Sequence, residues 1–230
     1  MQYPEAFFRS VLFWGKVKQE LISNSTIIVA GVGGLGCFVS QLLVRAGIGK
    51  LILIDNDMVS ESDLNRQILY TTKDIGESKV KIAAQKLNAI NKFSKVIPLK
   101  ITIEDKKSFL KNPAFAEYTG IADCLDNYES RLIIQNLLKD EIFMVHGGVE
   151  NDYGQLTTII KNSTVLLQDI YADYKMELYP IPVIPQSVSV IATFMTHEII
   201  NNILGMPQLL NQLLIMELSD FSIFKIALKK

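Results

Sequence analysis

The sequence predicts an α/β fold: a doubly wound, mainly parallel sheet with a C-terminal antiparallel extension. Three observations carry this. The runs Thr26–Ala30, Lys50–Asp55 and Gly120–Leu125 are almost unbroken in apolar character, as in strands buried on both faces. Segments with apolar residues at helical spacing stand between the strand-like runs. The alternation of strand and helix holds to Gly148 and then gives way to strand-like runs around one long helix.

The elements follow in order. Pro4–Leu21 has a roughly helical apolar spacing through Phe8, Leu12 and Val17, and residues 1–22 are read as an N-terminal helical segment. The strand Thr26–Ala30 runs into Gly31-Val-Gly-Gly-Leu-Gly36. A helix then spans Cys37–Ala46 and closes at Gly47. Lys50–Asp55 is the second strand. The polar stretch Asn56–Gly76 is long for a loop, and loops of that length are usually functional or carry short helices. Ser78 should cap a helix to Asn91. A strand near Val96–Ile101, a short helix near Asp105–Leu110 and the strand Gly120–Leu125 follow. Glu129–Lys139 reads as a helix and Ile142–Val145 as a strand. Beyond it, Gln155–Ile160 suits an antiparallel strand, and 161–185 reads as an irregular crossover loop with Pro180, Pro182 and Pro185. Gln186–Leu204 is a helix ended by Gly205. Leu213–Met216 and Ser222–Ala227 form a terminal hairpin.

Composition removes several function classes. With 230 residues, 49% hydrophobic and 20% charged, the chain can bury a sizeable core as one domain. A formal charge of −1 argues against a broad nucleic-acid surface. The two cysteines, Cys37 and Cys124, lie in no CxxC pair, so neither a disulfide framework nor a zinc site is expected. The apolar stretch Val188–Leu204 is interrupted by Thr193, His197, Glu198, Asn201 and Asn202, so no membrane span is expected. The N-terminus lacks the pattern of a signal peptide, and a cytoplasmic location is the expectation.

The glycine loop between strand and helix is the strongest local signal. Glycines let the backbone approach a phosphate, and the first N–H groups of the next helix point at it. Asp55, about 20 residues on at the end of the next strand, can accept from ribose hydroxyls. A Rossmann-like nucleotide site follows from this arrangement, without specifying the nucleotide. Further groups should converge at the carboxyl ends of the strands: Asp63-Leu-Asn-Arg-Gln67, Lys79, and Asp126-Asn127 with Arg131. Cations such as Arg66 and Lys79 suit a triphosphate better than a pyrophosphate bridge, because they can neutralise charge on a leaving pyrophosphate. Asp126 can hold Mg²⁺, which typically takes one or two carboxylates plus substrate phosphates.

Taken in order, these motifs resemble the E1-like adenylating enzymes of the MoeB, ThiF and HesA group. The resemblance runs from about Arg9 to Gly205. It is carried by Trp14-Gly15, Ile28–Cys37, Leu53–Asp57, Asp63–Gln67, Gly76–Val80 and Asp126-Asn127 with Arg131. It implies ATP-dependent adenylation of a carboxylate with release of pyrophosphate. The usual substrate is the C-terminal Gly-Gly of a ubiquitin-like sulfur-carrier protein, in cofactor biosynthesis. The implied nucleotide-binding set is Gly31, Gly33, Gly34, Gly36, Asp55, Asp57, Asn65, Arg66, Gln67, Lys79, Asn127 and Arg9. Arg66, Lys79 and Asp126 would carry catalysis, with Asp126 on Mg²⁺. Arg9 and Arg66 would serve a partner's site in a homodimer, or in a heterodimer with a related chain.

The departures from that pattern shape the expectation. The segment Leu166–Pro185 has no cysteine to accept an acyl group or sulfur, and Glu177 stands near where one would be placed. Cys37 and Cys124 read as packing residues, since unpaired cysteine is usually buried and inert. The family's SNLNRQ stands here with Asp63 in place of an Asn, which adds a negative charge near the phosphates. His146 and His197 read as structural or surface histidines. The alternatives are a small-molecule or RNA-linked carboxylate as substrate, an NAD-dependent oxidoreductase, and an inactive scaffold subunit.

Overall fold

The computed structural model describes residues 4–103, 112–172 and 181–229. The expected helix near Asp105–Leu110 and the position of Glu177 lie outside them. Among the described residues eight strands form one sheet: β1 Thr26–Ala30, β2 Lys50–Ile54, β3 Lys95–Leu99, β4 Gly120–Asp123, β5 Phe143–Glu150, β6 Tyr153–Ile160, β7 Gln212–Glu217 and β8 Ser222–Ala227. Their order is β3-β2-β1-β4-β5-β6-β7-β8. The first five strands pair in parallel, and β6, β7 and β8 continue the sheet antiparallel. The expected fold class is therefore observed, and the terminal hairpin lies in the main sheet rather than apart from it.

Alternation along β1 explains the layers. Ile27 and Val29 pack on one face with Leu43 of helix α2 (Gly34–Ala46), Leu87 of α3 (Lys79–Asn88) and Ile191 of α6 (Pro185–Ile203). Ile28 and Ala30 pack on the other with Ile134 of α4 (Tyr128–Asn136) and Leu167 of the short α5 (Leu167–Ile170). A strand buried on both faces needs apolar residues at both parities, which is why these runs do not alternate with polar groups. Proline 98 sits in β3, at the sheet edge, where its missing N–H costs no ladder bond.

Several boundaries differ from the sequence expectation for identifiable reasons. Helix α1 spans Phe8–Asn24 but is broken at Gly15, whose φ of 80° and ψ of 166° leave the helical region. Helix α2 begins inside the glycine loop and ends at left-handed Gly47 as expected. Ser78 stands at the start of α3 but makes no capping hydrogen bond, so it does not cap as expected. Strand β5 continues past Val145 to Glu150 and turns into β6 over Asn151, whose φ is 53°. The sequence reading ends this strand at Val145. Gly147 instead admits α6: a Cβ there would lie 2.2 Å from Sδ of Met195.

Candidate nucleotide site

The strand order reverses between β1 and β4, with β2 on one side and β5 on the other. Chain connections leave a crevice at such a point, outside the carboxyl ends of the strands. A cavity of about 680 Å³ opens there, lined by residues of the glycine loop, the Asn56–Gly76 loop, α3 and the segment after β4.

The floor is the glycine loop. Gly31 has φ of +84°, and a Cβ on it would lie 2.7 Å from the carbonyl oxygen of Cys124. A Cβ on Gly36 would lie 2.0 Å from the carbonyl oxygen of Gly31. Both positions therefore demand glycine for folding itself. Gly33 and Gly34 line the cavity, where the first N–H groups of α2 are available to an anion. Gly36 packs beneath the loop and does not line the cavity.

Asp55 stands just past β2 and locks the loop. Val32 N–H donates to its Oδ2 at 2.8 Å, and Asp57 N–H donates to its Oδ1 at 2.9 Å. Burial raises its pKa, and the two N–H donors and Lys79 only partly counter that. Remaining lone pairs on this carboxylate can accept from hydroxyl groups in the cavity.

The Asn56–Gly76 loop supplies the charged wall, and Asp63 organises it. Its Oδ2 accepts from Ser60 N–H at 2.9 Å and from the Ser60 hydroxyl at 3.0 Å. Its Oδ1 accepts from Gln67 Nε2 at 2.7 Å. The acid that departs from the family pattern is thus a buried hub of the loop, and it also lines the cavity. The Lys79 ammonium lies 3.1 Å from Asp57 and 3.5 Å from Asp63. Burial alone would depress that ammonium's pKa. The Asp57 hydrogen bond and the charges of Asp55, Asp57 and Asp63 outweigh burial and raise it above the ordinary lysine value. Arg66 lines the same wall, its Nη1 donating to Ser62 C=O at 3.0 Å and to Asn65 Oδ1 at 2.8 Å. Asn65 is exposed, bonds Arg66 and does not line the cavity. Oε1 of Gln67 is buried and has no hydrogen-bond partner among the described residues.

Just past β4, Asp126 is an exposed carboxylate on the cavity wall. Asn127 also lines it, and its side chain caps α4 by accepting from Ser130 N–H at 2.9 Å. No group of three or more metal-binding side chains occurs among the described residues. A single oxygen ligand at an open wall fits Mg²⁺ held jointly with phosphates, and does not fit an all-protein cage. Arg9 lies exposed on the first turn of α1 and does not line this chain's cavity. Cys37 and Cys124 are both buried and free. Burial pushes the Cys37 thiol up to about 12 and the Cys124 thiol well above its ordinary value, which disfavours the nucleophilic thiolate.

Sequence reasoning did not find the most deeply buried polar group beside the site. Asp123 ends β4 with its side chain fully buried, 2.7 Å from Nδ1 of His146 on β5. Tyr171 and Arg131 adjoin the pair. The available signal was an acid inside an apolar strand, because a buried carboxylate requires a partner. His146 is fully buried and hydrogen-bonded through both ring nitrogens.

The sequence model of the ThiF family matches residues 7–230. The chain is 36% identical over 124 residues to a sulfur carrier protein adenylyltransferase of Thermus thermophilus, covering 53% of this chain and 44% of that one. It is 34% identical over 144 residues to the molybdopterin-synthase adenylyltransferase of Escherichia coli, covering 60% and 55%. The chain thus spans about half the length of these curated relatives. The crystal structure of E. coli MccB with ATP shares the fold, with a TM-score of 0.85 at 19% identity over 99% of this chain and 73% of that chain. Among the described residues, no helix is long and apolar enough to cross a membrane. With the glycine loop, the charged loop and the family match agreeing over nearly the whole length, the chain belongs to the ThiF family.

Proposed function

We propose that the chain is an ATP-dependent adenylyltransferase that activates a carboxylate as its acyl-adenylate. The observation that carries this is one cavity lined together by the glycine loop, Lys79, Arg66 and the exposed carboxylate of Asp126. The adenylyltransferase names of the relatives support the same reading.

The chemistry asks for alignment and charge control. A carboxylate oxygen attacks the α-phosphorus, the bond from that phosphorus to the bridging oxygen breaks, and pyrophosphate leaves with the electron pair. The attacking carboxylate is already ionised at neutral pH, so no general base is needed. N–H groups at the start of α2 orient phosphate oxygens, and Asp55 holds the ribose. Lys79 and Arg66 neutralise the charge that develops on the departing pyrophosphate. Mg²⁺, when bound, neutralises phosphate charge, and Asp126 would hold it. The nicotinamide alternative accounts for the glycine loop and Asp55 but gives these charged groups no role.

The substrate in this reading is the C-terminal glycine of a ubiquitin-like sulfur-carrier protein, in a cytoplasmic setting. A homodimer is part of the proposal. Phe13 and Val17 of α1 are 82% and 75% exposed, an unusual loss of burial for apolar groups that a second copy would recover. Arg9, on the same helix, would then reach a partner's site.

ATP–pyrophosphate exchange tests the reading. Exchange that requires both Mg²⁺ and a carrier ending in Gly-Gly is the expected result. Thermal stabilisation by NAD and not by ATP with Mg²⁺ would overturn it.

A further inference from the structure

A chain of hydrogen bonds runs outward from a fully buried carboxylate beside the site, and the adenylation chemistry above does not use it. It starts at Asp123. Burial pushes that carboxyl's pKa up, but Arg131 and His146 outweigh burial and hold it below the ordinary carboxylate value. An ionised carboxylate can only accept, so Nδ1 of His146, 2.7 Å away, carries the hydrogen. Burial and the nearby Arg131 depress the His146 pKa. Nε2 is then a bare acceptor, and it takes the Tyr171 hydroxyl hydrogen at 2.7 Å. The Tyr171 oxygen accepts from Gln155 Nε2 at 2.5 Å. Oε1 of Gln155 accepts from the Tyr153 hydroxyl at 2.9 Å. One ionised group thus fixes the direction of every link.

The outer end of this chain borders a second pocket of about 110 Å³, lined by Tyr153, Gln155 and Tyr171 and sharing Asp126 and Arg131 with the nucleotide cavity. Tyr171 belongs to no strand and immediately follows α5, so its hydroxyl bonds tie that segment to β5 and β6. Gly148 keeps the pocket floor bare: a Cβ there would stand 3.7 Å from Gln155 and 3.8 Å from Arg131. The hydroxyls of Tyr153 and Tyr171 and the amide of Gln155 can hydrogen-bond the main chain of a peptide, beside apolar Val149 and Ile181 and the Glu150 carboxylate.

We propose that His146 is a positioning residue for the acyl substrate: through Tyr171 it fixes Gln155 and Tyr153 as the wall of this second pocket, which receives the carboxyl-terminal residue of a peptide-like acyl donor beside Asp126. This rests on the adenylation reading.

The test measures pyrophosphate exchange with a ubiquitin-fold carrier ending in Gly-Gly, in the full chain and in two variants. Tyr171→Phe removes only the hydroxyl. His146→Asn keeps a donor for Asp123 and loses the acceptor for Tyr171. Each should raise KM for the carrier about tenfold, with KM for ATP within about twofold and the double variant no worse than either single one. Nitrogen NMR should find His146 protonated on Nδ1 and bare on Nε2 at pH 7. A carrier KM that stays within about twofold in Tyr171→Phe would overturn the positioning role. So would equal losses against carrier and ATP, which a merely structural role produces, or an Nε2-protonated tautomer. If the unsubstituted chain exchanges pyrophosphate with no carboxylate at all, the adenylation reading itself falls.

Discussion

The ammonium of Lys79 lies 3.5 Å from a carboxylate oxygen of Asp63, with the two side chains only 8% and 9% exposed. The lysine therefore has two employers. It balances a buried acid that organises the loop, and it presents charge to the nucleotide cavity. These roles can be separated. Lys79→Met removes the nearer of two cations from buried Asp63, leaving only Arg66 at 4.0 Å, and should destabilise the fold by about 2–4 kcal/mol in chemical denaturation. Adding Asp63→Asn removes the uncompensated charge and should recover most of that loss. Exchange activity should stay depressed by about 100-fold or more in both variants, because the pyrophosphate charge is still not neutralised.

The glycine loop predicts two different failures from the same substitution. Gly36→Ala places a methyl 2.0 Å from the Gly31 carbonyl oxygen, backbone that cannot swing aside. It should fail to fold, or melt far below the parent chain. At Gly33 the nearest atom to an added Cβ is Gln67 Nε2 at 3.7 Å. Gly33→Ala should fold, losing about 1 kcal/mol or less, while a methyl beside the phosphate path weakens ATP binding about tenfold or more. Calorimetric titration of ATP into each folded variant checks this.

How much of this could be read beforehand follows from what each residue answers to. Strands β1, β2 and β4 were legible because burial on both faces forces a local composition. The glycine loop was legible because strand, turn, helix and acid are near in sequence. The role of Asp63 was not legible, since its cation Lys79 stands on the next helix and only the fold brings it to the loop, although Ser60 and Gln67 are local partners. The Asp123–His146–Tyr171 chain was less legible still: its members lie on β4, on β5 and after α5, and only the sheet order places them in contact. The extension of β5 was hidden because Gly147 answers to Met195, which is distant in sequence.

His146 gives the stability a pH dependence of predictable sign. The groups around it are Asp123 from β4, Arg131 from α4, Tyr171 after α5, and uncharged Thr157 opposite on β6. Its folded pKa is below the unfolded value of about 6.5. Between the two values the unfolded chain binds the extra proton, so stability rises with pH across that window. The contribution is present above about 6.5 and is lost as pH falls through the folded pKa. Melting temperatures from pH 7.5 down to 5 should decline in the parent chain. The decline should be shallower in His146→Asn, which has no imidazole to protonate.

Arg9 supplies the last prediction, on assembly. It is exposed on α1 beside uncovered Phe8 and Leu12, and its own chain's cavity has no place for it. If two copies pack through α1, Arg9 of each serves the other's site. Arg9→Ala and Asp126→Asn would then each abolish exchange alone while leaving melting temperature nearly unchanged, because both residues are exposed. Mixed after dissociation, the two variants form hybrids, and one site in each hybrid has Asp126 from its own chain and Arg9 from the other. Random pairing makes half of the dimers hybrids, so about one quarter of the parent activity should return. Activity that stays at zero after subunit exchange, confirmed by mass spectrometry, would place Arg9 outside a shared site. Val17→Asp should give monomers by sedimentation and remove activity even with Arg9 intact, since a charge on that face cannot be buried against a second copy.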